Sequence, residues 1–350
     1  MKTVRIITPT GHLGTTPLER ASFERGCAAA PDFIAADSGA DGQPRYHRGM
    51  DLLVGTESGL WQHRGGTLEP VEAFAAREVT ALARDRSRTW ALIEGQTIWA
   101  KSEGGPWEKQ ASVDGPAATC LAPTSGGLLV GSEHARLLRL VDGTLSRVES
   151  FERVEGRDEW YTPWGDPAAV RSIALATDGT IHVNVHVGGV ARSRDGGLTW
   201  TPTVDVEADV HQVLAHPARP AVVLAAAYEG FGISRDGGES WEFLTGGMHA
   251  HYARAVTVSG DTVLVSVSTG PRGRRAALYR GPLDGGAPFE RCHDRLPWFD
   301  DNIDTACLQA AGPVVVFGTE DGRVFRSPDR GQSWSLVTKG LSPVRCISLG

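Results

Sequence analysis

The chain has no run of about 18 apolar residues, so no segment reads as a membrane-crossing helix and no membrane partner is expected. Near the start, Lys2 and Arg5 are followed only by Ile6 and Ile7 before Thr8-Pro9, too little for the apolar core of a secretory leader; a soluble, cytoplasmic protein is expected. Cysteine is scarce and unpatterned. Five residues (Cys27, Cys120, Cys292, Cys307, Cys346), odd in number and never spaced CxxC, argue against a disulfide framework and a zinc knuckle. Positive charge is in deficit. Lys and Arg number 35 against 42 Asp and Glu, a formal charge of -7 that excludes a whole-surface basic field for nucleic acid and leaves room only for an enclosed basic pocket. Tyrosine, at five, is outnumbered by ten tryptophans, so some element uses Trp repeatedly.

Turn formers are plentiful. The 43 Gly and 20 Pro lie below the level of disordered or collagen-like chains but imply many turns, in a length of 350 that permits one large domain or two small ones. Three segments then stand out: Ser193-Arg194-Asp195-Gly196-Gly197-Leu198-Thr199-Trp200, Ser234-Arg235-Asp236-Gly237-Gly238-Glu239-Ser240-Trp241 and Ser327-Pro328-Asp329-Arg330-Gly331-Gln332-Ser333-Trp334. All read S-x-D-x-G-x-[ST]-W. Ser and Asp can bond nearby backbone amides, Gly supplies a positive φ, and the Trp fills the gap between turn and sheet. The motif resembles the Asp-box, or BNR repeat, of sialidase-like β-propellers, which occurs in enzymes and non-enzymes alike.

Weaker copies complete a period. Asp284-Gly285-Gly286-Ala287-Pro288-Phe289 keeps the offsets, Gly104-Gly105-Pro106-Trp107 keeps Gly and Trp, and Asp142-Gly143 and Gly65-Gly66 fill the remaining gaps. Anchors near 68, 107, 146, 200, 241, 289 and 334 make seven units of about 43 residues, the length of a four-stranded blade. In the fourth unit the strands read 170–176, 180–187, 189–195 and 198–204. The first unit begins at its second strand, Asp51 to Gly55, while Val344 to Leu349 is a surplus innermost strand; the C-terminus therefore closes the ring and removes an exposed edge. The expected fold is all-β: a seven-bladed β-propeller with Asp-box corners over 50–350. It is preceded by an α/β extension over 1–49, with a strand over Thr3 to Thr8, a helix over Pro17 to Ala30 and a strand over Asp32 to Ala36. Docking on the propeller, disorder or assembly are its open roles.

Propeller ligands usually sit around the axial channel on the face carrying the loops between blades and between second and third strands. Those loops gather Trp160, Tyr161, Trp164, His186, Asp209, His211, Tyr228, Glu229, His249, His251, Tyr252, Arg272, Arg274, Arg275, Trp298, Asp300, Asp301 and Asp304. Aligning the inner strands on Leu82, Leu121, Ile173, Val213, Val256, Leu308 and Ile347 puts Ala81, Cys120, Ser172, Gln212, Ala255, Cys307 and Cys346 one place earlier, mostly small residues suited to a crowded axis. Two places earlier come Thr80, Thr119, Arg171, His211, Arg254, Ala306 and Arg345. Three arginines at one channel level imply either a bound anion or internal ion pairs with Asp209, Asp304 and their neighbours.

Three chemical readings follow. Sialidases hold a substrate carboxylate with three arginines at the channel mouth, and by that resemblance Arg171, Arg254 and Arg345 would bind a small anionic, carboxylate-bearing ligand, a glycan among the candidates. Tyr252 with Glu229 would be the nucleophile pair of such a hydrolase and Asp300 or Asp301 its acid. The Arg-Ile-Pro of a sialidase first blade is absent; Arg295-Leu296-Pro297 lies in another blade. The second reading is a divalent metal on His186, His211, His249 and His251, for lyase or lactonase-type chemistry. Trp160, Trp164 and Tyr228 would supply aromatic walls for the ligand, or Trp160 and Trp164 pack the 151–168 insertion against a blade. The third is a non-catalytic propeller that binds a protein partner, similar to Asp-box photosystem assembly factors.

Overall fold

A computed structural model describes residues 4–6, 51–162, 165–205 and 207–350. From Leu52 onward its described strands form seven antiparallel sheets whose innermost strands are Val344–Leu349 (blade 1), Val79–Arg84 (blade 2), Ala118–Thr124 (blade 3), Val170–Leu175 (blade 4), Val210–Ala215 (blade 5), Tyr252–Ser259 (blade 6) and Leu308–Ala311 (blade 7). This is a seven-bladed β-propeller. Blade 1 pairs the C-terminal strand with Leu52–Thr56 in the register Leu52↔Leu349 to Thr56↔Val344, so the ring closes as the surplus strand predicts.

The repeated corners fold through their own side chains. At the corner of blade 7, Asp329 Oδ1 accepts the backbone N–H of Gln332 (3.0 Å) and Ser333 (2.8 Å) and the Ser327 hydroxyl (2.8 Å), while Ser327 Oγ accepts from Gly331 N (2.8 Å). Blades 4 and 5 repeat this with Asp195 and Ser193, and with Asp236 and Ser234. Trp241 and Trp334 are buried behind their turns. The corner takes up much of the outer strand in blade 4, which is only Thr201–Pro202 rather than the longer 198–204 that alternation predicts, Pro202 offering no N–H to extend it.

At the axis, six inner strands share one irregularity. The ladder skips a residue between Val79 and Ala81, Ala118 and Cys120, Val170 and Ser172, Val210 and Gln212, Ala253 and Ala255, and Val344 and Cys346. The skipped residues are Thr80, Thr119, Arg171, His211, Arg254 and Arg345, the ring that strand alignment places at one channel level. A bulge leaves one residue out of the ladder and re-aims its side chain. In blade 7 the matching Ala306 stands just before the strand at φ 65°.

One step further along, three blades carry cysteine, and in each the facing second strand carries glycine. Cys346 faces Gly55 and Cys120 faces Gly131, and Gly318 N donates to Cys307 O. A Cβ on Gly55 would stand 2.5 Å from Cys346 Sγ, and one on Gly131 would stand 2.6 Å from Cys120 Sγ. These thiols are packing groups, as predicted, and burial pushes the Cys120 thiol up to about 12.

The first described strand, Val4–Ile6, lies parallel to the outer strand of blade 5 (Val4↔Trp241 to Ile6↔Phe243) and adds a fifth strand to that sheet. It lies within the strand expected over 3–8. The helix expected over 17–30, the strand over 32–36 and the position of Trp164 fall outside the described residues.

The thiol–glycine exchange yields a double-mutant prediction. Gly55→Ala should destabilise the protein by about 1–3 kcal/mol through overpacking. Adding Cys346→Ala should recover about 1 kcal/mol of that loss, read from urea midpoints; strictly additive midpoints would show that Sγ does not fill the space.

Candidate functional site

The bulged ring opens into a cavity of about 770 Å³ around the axis, lined by Thr80, Thr119, Arg171, Arg254, Ala306 and Arg345 together with Glu133, His186 and Tyr252. Five of the six bulged side chains thus line the channel. The sixth, His211, is fully buried: its Nδ1 bonds the carbonyl of Ala253 in the next blade at 2.6 Å, which turns the imidazole behind the wall. Thr305 crosses between blades, donating to His211 O and Arg254 O, both at 3.0 Å.

The three arginines are in different electrostatic states. Arg345 is engaged by Glu57 and by Glu320 (2.7 Å), with Glu78 at 3.7 Å. Arg254 binds Asp304 Oδ1 through Nε and Nη2, both at 2.5 Å, and donates to Tyr252 Oη at 3.3 Å. Although burial works against it, Asp304 and Tyr252 hold the Arg254 guanidinium above its ordinary value. Arg171 has neither an ion pair nor a hydrogen bond with a described residue. Burial, reinforced by Arg254, pushes it down to about 10, so at neutral pH it remains a cation facing the cavity without a counter-charge in contact. Internal pairing therefore accounts for two of the three arginines and leaves the third.

Behind Arg171 and Arg254 lies an Asp between two imidazoles. Asp209 Oδ1 is 3.2 Å from His186 Nε2, and Oδ2 is 3.3 Å from His211 Nε2. Burial opposes ionisation of Asp209, but the two histidines outweigh it and hold the carboxyl far below the usual range. Burial and the neighbouring arginines lower His211 despite Asp209. His186 lines the cavity, and a carboxylate at Nε2 favours the tautomer with its proton there and the basic lone pair on Nδ1.

The other candidates divide into separate groups. Tyr252 packs on His211 (ring centroids 4.7 Å apart) and Tyr228 (6.1 Å), and its hydroxyl is bonded to Arg254 rather than to Glu229. Glu229 has a buried Oε2 without a hydrogen-bond partner among the described residues, and burial raises its carboxyl. Asp300 and Asp301 are exposed on the blade 6 rim, with Asp300 O accepting from Arg274 N. The nucleophile–carboxylate–acid set drawn by analogy is therefore not assembled.

Nor are the four histidines brought together. His249 Nδ1 bonds Tyr279 Oη at 2.8 Å and His251 Nδ1 bonds Tyr228 O at 2.7 Å, away from His186 and His211. Among the described residues no group of three or more His, Cys, Asp or Glu side chains is arranged to hold a metal ion. Trp160 lies against buried Phe151 (5.7 Å), capped by the Arg157 guanidinium at 4.9 Å, so the insertion packs on its blade. It also borders a separate groove of about 550 Å³ with Trp241 and Asp205.

Sequence alignment missed the bulge, Thr305 and the Glu78 contact. A local signal for the bulge exists: the ring residue stands between an apolar residue and a small or uncharged one, as in Val170-Arg171-Ser172 and Val344-Arg345-Cys346.

No protein-family model and no curated protein matches the sequence. Solved structures do match in fold. A putative 6-phosphogluconolactonase from Bacteroides uniformis is similar at 11% identity with a TM-score of 0.60, over 86% of this chain and 99% of that one. YCF48 bound to D1 peptide is similar at 14% identity with a TM-score of 0.55, over 81% and 88%. The GH74 xyloglucanase from Xanthomonas campestris is similar at 15% identity with a TM-score of 0.54, over 74% of this chain and 45% of that one. The propeller is thus shared with a glycoside hydrolase and with a peptide-bound protein, and identities this low speak for fold alone.

Asp209 gives a pH prediction. Its depressed folded-state pKa contributes stability above its unfolded value near 4 that is lost as pH falls toward the folded value. Asp209→Asn should therefore lower the urea midpoint at pH 7, with the gap to wild type narrowing below about pH 4. A gap constant from pH 7 to pH 2 would rule out the ionised carboxylate as its source.

Proposed function

We propose that the channel mouth binds a small anionic ligand, a carboxylate or phosphate ester, and acts on it by hydrolase-type acid–base chemistry. The observation that carries this reading is Arg171, a guanidinium turned into the cavity with no carboxylate or hydrogen-bond acceptor upon it among the described residues. Leaving a partly buried cation uncompensated is costly, and a ligand anion would offset that cost through charge-assisted hydrogen bonds. Arg254 and Tyr252 border the same space, and His186, held by Asp209 at 3.2 Å, is the imidazole on the cavity wall. In this reading Arg345 acts as an inter-blade ion-pair centre. The hydrogen-bonded Ser-Asp-Gly corners support assigning the chain to the Asp-box propellers, with 50–350 as the ring and 1–49 as an extension in a cytoplasmic protein.

A second reading, a non-catalytic propeller that holds a protein partner, is favoured by the peptide-bound neighbour and by the unassembled nucleophile set.

Calorimetric titration with inorganic phosphate, citrate and glucuronate tests the first reading. At least one should bind, and Arg171→Ala should weaken it by about tenfold or more, roughly 1.4 kcal/mol, with the melting temperature kept. Lysine at this position should restore only part of the affinity, since it lacks the planar fork. Absence of binding by all three, or equal binding by Arg171→Ala, would refute the anion site. If binding holds, screening 4-nitrophenyl esters, phosphates and glycosides separates catalysis from binding: turnover lost in His186→Gln supports the acid–base role, and no turnover favours the second reading.

A further inference from the structure

On a chain of charge -7, blade 6 collects arginines on the face of the channel mouth. Arg272, Arg274 and Arg275 lie on the loop between Thr262–Ser268 and Ala277–Pro282, and Arg291 ends the outer strand Glu290–Arg291. None of the four makes an ion pair with a described residue, whereas Arg254 in the same blade and Arg235 in blade 5 are paired. Asp300 and Asp301 lie on the adjoining loop, so the rim keeps an excess of two positive charges.

The loop is held firmly. Arg274 N donates to Asp300 O (2.7 Å), and Ala276 and Phe299 exchange backbone hydrogen bonds at 2.8 and 2.9 Å. A Cβ at Gly273 (φ 79°) would meet Asp301 Cα at 2.6 Å, so the two loops approach as closely as glycine allows. Arg274 and Arg275 both take left-handed backbone, at φ 35° and 54°. Two consecutive non-glycine residues in that region are strained, and such strain clusters at binding sites. Trp298, 38% exposed, stands between guanidiniums, with Arg275 Cζ 4.8 Å and Arg291 Cζ 4.4 Å from its ring centre. His249, fixed by Tyr279, meets the same indole edge-on at 4.7 Å. Arg291 Nη1 is buried with no acceptor among the described residues.

We propose that this rim, Arg272, Arg274, Arg275, Arg291 and Trp298, docks an acidic peptide segment of a protein partner. Guanidiniums from two loops can take carboxylates spaced along an extended chain as forked pairs, while the exposed indole takes an apolar side chain between them. Pre-ordered arginine and tryptophan are the residue types that dominate interfaces, because little side-chain entropy remains to be lost on binding. This deepens the protein-partner reading and does not depend on Arg171.

A fluorescein-labelled peptide of glutamates around one central leucine, followed by anisotropy with the full chain, is the probe. Binding should weaken steeply as salt is raised. The Arg274→Glu/Arg275→Glu double variant should raise Kd by about tenfold or more and Trp298→Ala should raise it several-fold, while Arg171→Ala leaves it unchanged. If the charge-reversed loop fails to fold, Arg291→Gln, which leaves that loop intact, must weaken the peptide instead. The proposal is overturned by no binding at low salt up to about 1 mM peptide, by equal binding of the double variant or of Arg291→Gln, or by tighter binding of a single-stranded oligonucleotide of equal charge. Loss of peptide binding in Arg171→Ala would also overturn it, assigning the peptide to the channel.

Discussion

Crowding at the axis governs this molecule. Seven inner strands converge on one line, so the residues nearest it must be small, or must share their space with a partner that gives way. The facing Cys and Gly of blades 1, 3 and 7 are the second solution. Where the strands can no longer approach as regular ladders, each of six inserts a bulge, and the displaced side chain becomes the channel wall. The candidate site is thus a by-product of closing the ring: the geometry that interrupts the ladder also delivers Thr, Arg or His to one level.

Identical backbone positions then acquire different chemistry from second-layer charges. Arg345 meets three glutamates from blades 1, 2 and 7, whereas Arg254 meets one aspartate and a tyrosine. At Arg171 the negative charges that act on it, on Asp304 and Asp209, are already engaged, the first by Arg254 and the second by two histidines. Which arginine can receive a ligand is decided by its neighbours' carboxylates, and these come from loops distant in sequence. Low dielectric around the buried groups strengthens both the pairing and the cost of its absence.

The period, the blade count, the closing strand and the channel ring could all be read from the chain, because each rests on spacing. Corner motifs fix where each hairpin turns, and alternation fixes which residues face inward. What could not be read was partnership. Tyr252 and Glu229 lie on neighbouring loops, yet Arg254, two residues along the same strand, claims the tyrosine hydroxyl. His249 and His251 are two apart but belong to different neighbourhoods, since both lie in the irregular loop ahead of Tyr252–Ser259, where one imidazole turns to Tyr279 and the other to Tyr228. His211 shares the ring level with Arg171, but a carbonyl of the next blade captures its imidazole. Beyond the Tyr252–Arg254 pair, these choices depend on contacts 23 to 42 residues apart, which periodicity does not encode.

The closing strand sets an order in time. The inner strand that covers Leu52–Thr56, Val344–Leu349, is made almost three hundred residues after it. Until then blade 1 has only three strands, with the edge of its buried strand Leu52–Thr56 left open. The chain therefore keeps one unfinished sheet throughout translation, a long-range pairing of the kind that slows folding and exposes it to aggregation.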